Sequence, residues 1–190
     1  MAHIPNLMAI DAVEDPAVRL YAIIGASISL AAAVEHAMFE VYVVASDQDE
    51  AAAAPIFYRH VRFSHKRDVT DDAVRRLLPL KANPHLSGRW DELVQHAQDL
   101  LGSDTARNLV GHNAVSSDLA IELDENDAFL DAIAEFEVNQ NHHMVRAGLR
   151  PSRRVEFDAL RFYAQRLITL RLRLSRFAAS LREARAESLP

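Results

Sequence analysis

The chain contains no cysteine. That excludes disulfides and thiolate zinc sites, and it fits a reducing cytoplasm. Glycine and proline are scarce, 5 and 7 among 190 residues, which argues against a loop-rich or disordered chain. No apolar run approaches the roughly 20 residues needed to cross a bilayer. The longest uncharged stretch, Leu20 to Val34, has 15 residues and is interrupted by Gly25, Ser27 and Ser29. Met1 to Asp15 lacks the basic start and apolar core of a signal peptide, so a cytoplasmic protein is expected. Also missing are a Gly-rich phosphate loop, a nucleophile elbow and a dinucleotide fingerprint.

What remains is rich in helix-forming alanine, leucine, arginine and glutamate, with 49% hydrophobic and 25% charged residues. The length suits one domain with a sizeable core. The net charge of −6 conceals an asymmetry. Residues 150–190 carry ten arginines against Glu156, Asp158, Glu183 and Glu187, a local +6, which leaves −12 on the first 149. The basic segment reads first as a solvated helix face, and second as a surface able to touch a phosphate backbone.

Asp15-Pro16 is a helix start, an acidic N-cap before a proline at the first helical position. Leu20, Ile24, Ser27, Ala31, Val34, Met38 and Val41 then recur at spacings of four and three, which predicts one long helix to about Ser46. Ile23, Ile28, Leu30 and Ala37 widen its apolar surface, as in a central helix with several neighbours. Ala51 to Tyr58 forms a second helix that Pro55 either starts or kinks. Thr70 with Asp71 and Asp72 caps a short third helix. Pro79 and Pro84 bracket a loop, and Ser87 opens a fourth helix with Trp90, Leu93, Val94, Ala97, Leu100 and Leu101 inward and Gly102 at its end. Ser103 or Asp104 caps a fifth. Residues 114–152 are an irregular insert in which Ala132 to Val138 alternates as one arm of a small β-hairpin would. Arg150-Pro151-Ser152 is a turn. Leu160, Tyr163, Leu167, Leu170, Leu174, Phe177 and Leu181 define a long C-terminal helix whose seam suits the first helix or a second subunit. The expectation is an all-α bundle of five to six helices in one domain, 1–190, with residues 1–14 as an N-terminal arm.

Nine histidines raise the question of a metal. Neither Glu35-His36, nor His60 and His65, nor the adjacent His142-His143 has the one-turn histidine spacing of a helical zinc site, so none is expected. The stretch RNLVGHN, Arg107 to Asn113, groups a permanent cation, an amide and an imidazole. On a helix Asn108 and His112 stand one turn apart, so the amide can fix the imidazole's orientation and tautomer. Arg107 lies about 140° around the axis from His112, and the two converge more easily if two copies of the helix face each other. A histidine acid or base with an arginine opposite phosphate charge suffices to cleave RNA at the 2′-hydroxyl. On spacing alone, an Arg107–carboxylate pair and a polar core His112 explain the stretch equally simply.

Arg107, Asn108 and His112 resemble the signature of the HEPN superfamily, helical-bundle proteins of which many are RNases and whose motif often reads RN-x-x-A-H-G. The surroundings are similar as well: the Trp-containing helix upstream (RWDELVQHAQDLLG), an acidic residue on a long first helix (AAAVEHAMFE) and a heptad-like last helix. The departures are Gly111 before the histidine and Asn113 after it. The resemblance implies a homodimer and a metal-independent endoribonuclease of toxin or defence type, acting on RNA without a cofactor. Arg107 would stabilise the scissile phosphate, His112 would be acid or base, and Asn108 would orient it. It also admits a cognate antitoxin or other partner protein. The alternative is a non-catalytic HEPN-like module that binds a partner protein or nucleotide.

Overall fold

The structure, a computed structural model, describes residues 5–77, 84–102, 115–117, 136–138, 153–154 and 157–187. Six helices carry the described part: α1 Leu7–Asp11, α2 Pro16–Ser46, α3 Glu50–Tyr58, α4 Phe63–Leu77, α5 Pro84–Leu101 and α6 Phe157–Glu187. The protein is an all-α bundle. Three short strands, β1 Val115–Ser117, β2 Phe136–Val138 and β3 Arg153–Arg154, accompany it as an antiparallel sheet in the order β1-β2-β3. Val115 pairs with Val138, and Val138 in turn with Arg153. The expected hairpin arm thus appears at residues 136–138, with partners on both sides.

The two long helices run in parallel. Arg19 lies over the Phe157 ring, 4.9 Å from its centroid, near the start of both. Towards their ends the Ser175 hydroxyl donates to Glu40 at 3.1 Å, and Arg185 donates to the Val44 carbonyl at 3.4 Å. The same guanidinium bonds the Asp47 carboxylate. Asp47 has a φ of 57°, the left-handed conformation that ends a helix, so Arg185 closes the C-terminus of α2 with positive charge. At the other end Asp15 accepts from the Val18 amide at 3.1 Å, the N-cap expected from the Asp15-Pro16 pair.

α5 opposes α6: the Tyr163 hydroxyl donates to the Leu100 carbonyl at 3.1 Å, and Trp90 stacks on Phe177 with centroids 5.2 Å apart. α4 in turn opposes α5, with Arg75 donating to Asp91 at 2.8 Å and Trp90 donating to Asp71 at 2.8 Å. The core is the product of these contacts. All seven seam residues of α6, from Leu160 to Leu181, are buried, together with Trp90, Leu93, Leu100, Leu20 and Val34.

Three local expectations need correction. α4 begins at Phe63 rather than at Thr70. Thr70 is fully buried in mid-helix, and its hydroxyl donates to the Lys66 carbonyl one turn back at 2.8 Å, so it satisfies itself locally instead of capping. α5 begins at Pro84 rather than Ser87, because a proline at the first helical position removes only an amide that would lack a partner anyway. Ile28 faces solvent, 46% exposed, although its neighbours Ile23 and Leu30 are core. Pro55 sits inside α3, whose N-cap is Asp49. The expected fifth helix start at Ser103 or Asp104, the turn at 150–152 and the Pro79 end of the loop lie outside the described residues. The N-terminal arm contains α1, capped by Asn6 and tied to α6 by a two-pronged bond from Arg161 to Asp11, 2.7 Å at its shortest.

Candidate functional site

Arg107, Asn108 and His112 lie outside the described residues. What the structure does place is the platform that leads to them, the last turn of α5. Its carbonyl at Leu100 accepts the Tyr163 hydroxyl, which ties the helix end to the first turns of α6. The amide of Gly102 donates to the Gln98 carbonyl at 2.9 Å. A Cβ at Gly102 would stand 2.6 Å from that same oxygen, so only glycine fits there without displacing the backbone. The Gln98 side chain accepts from Arg67 of α4, which braces the turn from the opposite side. Arg107 follows Gly102 by five residues, a span of at most roughly 18 Å of extended chain.

One turn and a half before the platform, His96 lies on the α5–α6 seam. Its pKa is lowered, first by partial burial and then by the nearby Arg166 and Arg173 guanidiniums, with Asp99 opposing. The imidazole is therefore neutral at pH 7, held so by a local positive field. Arg173 also donates to Glu92 at 3.0 Å, and Arg166 lies over the Phe162 ring. These arginines belong to the basic segment noted in the sequence, and the structure sets two of them against the helix that leads to the motif.

Both acidic residues of the stretch AAAVEHAMFE have structural partners. Glu35 accepts from Lys66 of α4 at 2.6 Å, with both side chains close to nine-tenths buried. The same ammonium lies 5.5 Å from the Tyr58 ring centroid and 5.8 Å from that of Phe57. Glu40 takes the Ser175 hydroxyl and faces His36 at 3.9 Å. Sequence reasoning missed the Glu35–Lys66 pair, since its partners are 31 residues apart and no local pattern links them. A lysine on the inward face of α4, one turn before Thr70, was the only signal.

Tyr58 completes this corner, its hydroxyl 3.4 Å from His36 Nδ1. Its pKa is raised, first by burial and then by the Glu35 and Glu50 carboxylates. Among the described residues no three His, Asp or Glu side chains converge as a metal site requires. Compared with protein-family models, with curated proteins and with solved structures, the chain matches none.

Proposed function

We propose that this helical bundle is a HEPN-like, metal-independent endoribonuclease of toxin or defence type. It works as a homodimer in which the Arg107 and His112 segments of two copies combine, with Asn108 orienting the imidazole. The observation that carries the reading is the order of elements around the motif. RNLVGHN directly follows the Trp90-bearing α5 and precedes the long α6, in a bundle whose first long helix runs parallel to its last.

His112 would take the proton from a 2′-hydroxyl or return one to the leaving oxygen, while Arg107 holds the phosphate that gains charge. The neighbouring Arg166 and Arg173 supply a positive field beside the platform, which favours a phosphate backbone. RNA is the substrate class, and a cognate antitoxin or other partner protein in the cytoplasm is the natural restraint on such an activity. Incubating the purified protein with mixed RNAs in EDTA tests the reading, and new fragments that require His112 support it. A second reading, a non-catalytic module that binds a partner protein or nucleotide, draws on Gly111, which loosens a helix by about 1 kcal/mol relative to alanine. Intact RNA with retained partner binding would favour that second reading.

A further inference from the structure

The N-terminal half of α2 presents an uncharged face to solvent. Val18, Tyr21, Gly25, Ile28, Ser29 and Ala32 are all exposed and follow one another three or four residues apart along one stripe, Ser29 lying beside Ile28. Val18 is 53% exposed, Tyr21 52% and Ile28 46%. A Cβ at Gly25 would meet nothing within 4 Å, so the stripe has a notch at its middle. No charged residue occurs between Arg19 and Glu35. Long exposed apolar faces of this kind mark contact surfaces.

We infer that this face of α2 is the contact between two copies of the chain, with the two helices antiparallel about an axis between Gly25 and Ile28. The order of large and small residues carries the choice of occupant. A two-fold contact places the same patch on both copies, so each must bring both a projection and the recess that receives it. Turned about that axis, Ile28 meets Gly25 and Tyr21 meets Ala32, large on small in both cases. The charges at the two ends agree with this direction, since His36 of one copy approaches the Glu14-Asp15 end of the other. A parallel pairing would set those carboxylates against their own copies. A lipid surface fits less well. By length and composition α2 could cross a membrane, but half of its apolar surface is the core of the bundle, its exposed face is notched and carries Ser29, and its entry is acidic. The stripe extends over about 28 Å, so the contact falls near the lower end of specific interfaces, ~1,000 Å² in all, as suits a dimer of micromolar affinity.

This inference supplies the contact for the homodimer proposed above and rests on that reading only for the presence of two copies. Its readouts are mass and cross-linking, so failure of the dimer and failure of RNA cleavage are scored separately. Sedimentation of the full chain at about 50 μM should give a dimer, and Ile28→Lys should weaken it at least tenfold, with the melting temperature unchanged. Val61→Lys, at a 90% exposed apolar residue elsewhere, should leave it intact. Because the chain has no cysteine, single cysteines report geometry even if Ile28→Lys fails to fold. Gly25→Cys should oxidise to a disulfide dimer, and Val18→Cys, about 26 Å from its own copy in this arrangement, should not. A wild-type monomer would overturn the inference, as would a dimer indifferent to Ile28→Lys or one linked equally through Val18→Cys. A monomer that floats with phosphatidylcholine vesicles and loses that binding in Ile28→Lys would also overturn it, assigning the face to lipid.

Discussion

Replacing Lys66 with methionine tests how the α2–α4 contact is held. The ammonium stands 2.6 Å from Glu35, with side-chain exposures of 10% and 12%. At an effective dielectric near 20 the Coulomb attraction at that distance is about 6 kcal/mol, and the cost of removing both ions from water offsets much of it. The pair as a whole therefore contributes little net stability. Removing one member does not, because it leaves a carboxylate among the Phe57 and Tyr58 rings without its cation. Lys66→Met should cost about 3–5 kcal/mol, while Glu35→Leu/Lys66→Met should stay within about 1 kcal/mol of the parent. Urea unfolding followed by Trp90 fluorescence gives both values, since the chain has a single tryptophan and it is buried. A cost below about 1 kcal/mol for Lys66→Met, or a double variant as weak as the sum of its singles, would refute the reasoning.

Leu167 is fully buried in the middle of the α6 seam, and Leu167→Ala should cost about 2–5 kcal/mol in the same assay; a loss under about 1 kcal/mol would contradict the packing. His96 has a pKa depressed below its ordinary 6.5 in the folded state, so the unfolded chain binds the proton more readily. Its contribution to stability should be complete above about pH 6.5 and fall as the pH drops through the depressed value. His96→Gln should flatten that part of the stability profile, and an unchanged slope in the variant would show that other groups set it.

The long helices were legible because their signals are local and redundant. Asp15-Pro16 marks one start, and the three-four spacing from Leu160 to Leu181 states which face of α6 is buried without any knowledge of its neighbour. Polar residues were harder to place. Thr70 and Ser87 both look like caps in sequence, yet both are buried inside helices, because a hydroxyl can bond its own preceding turn as readily as a free amide. Ile28 was read inward from its company, and only the position of the other helices shows that nothing covers that side of α2. Glu35 looked like a site residue on a helix that resembles the HEPN pattern, and its partner Lys66 is invisible until α4 is in place. The motif itself was legible as three residue types at a spacing. Its geometry depends on how Arg107 and His112 are brought together, which no helical period decides.

The central claim is that His112 and Arg107 cleave RNA without a metal. The most direct measurement is RNA cleavage in EDTA by the wild type and by His112→Ala, with the product ends analysed. The account predicts fragments ending in 2′,3′-cyclic phosphate, a loss of about 10²–10⁴-fold in His112→Ala, and a comparably poor Arg107→Lys, since an ammonium lacks the planar two-donor contact. Asn108→Ala should be milder. Full activity in His112→Ala, or wild-type protein that leaves every RNA intact, would contradict it.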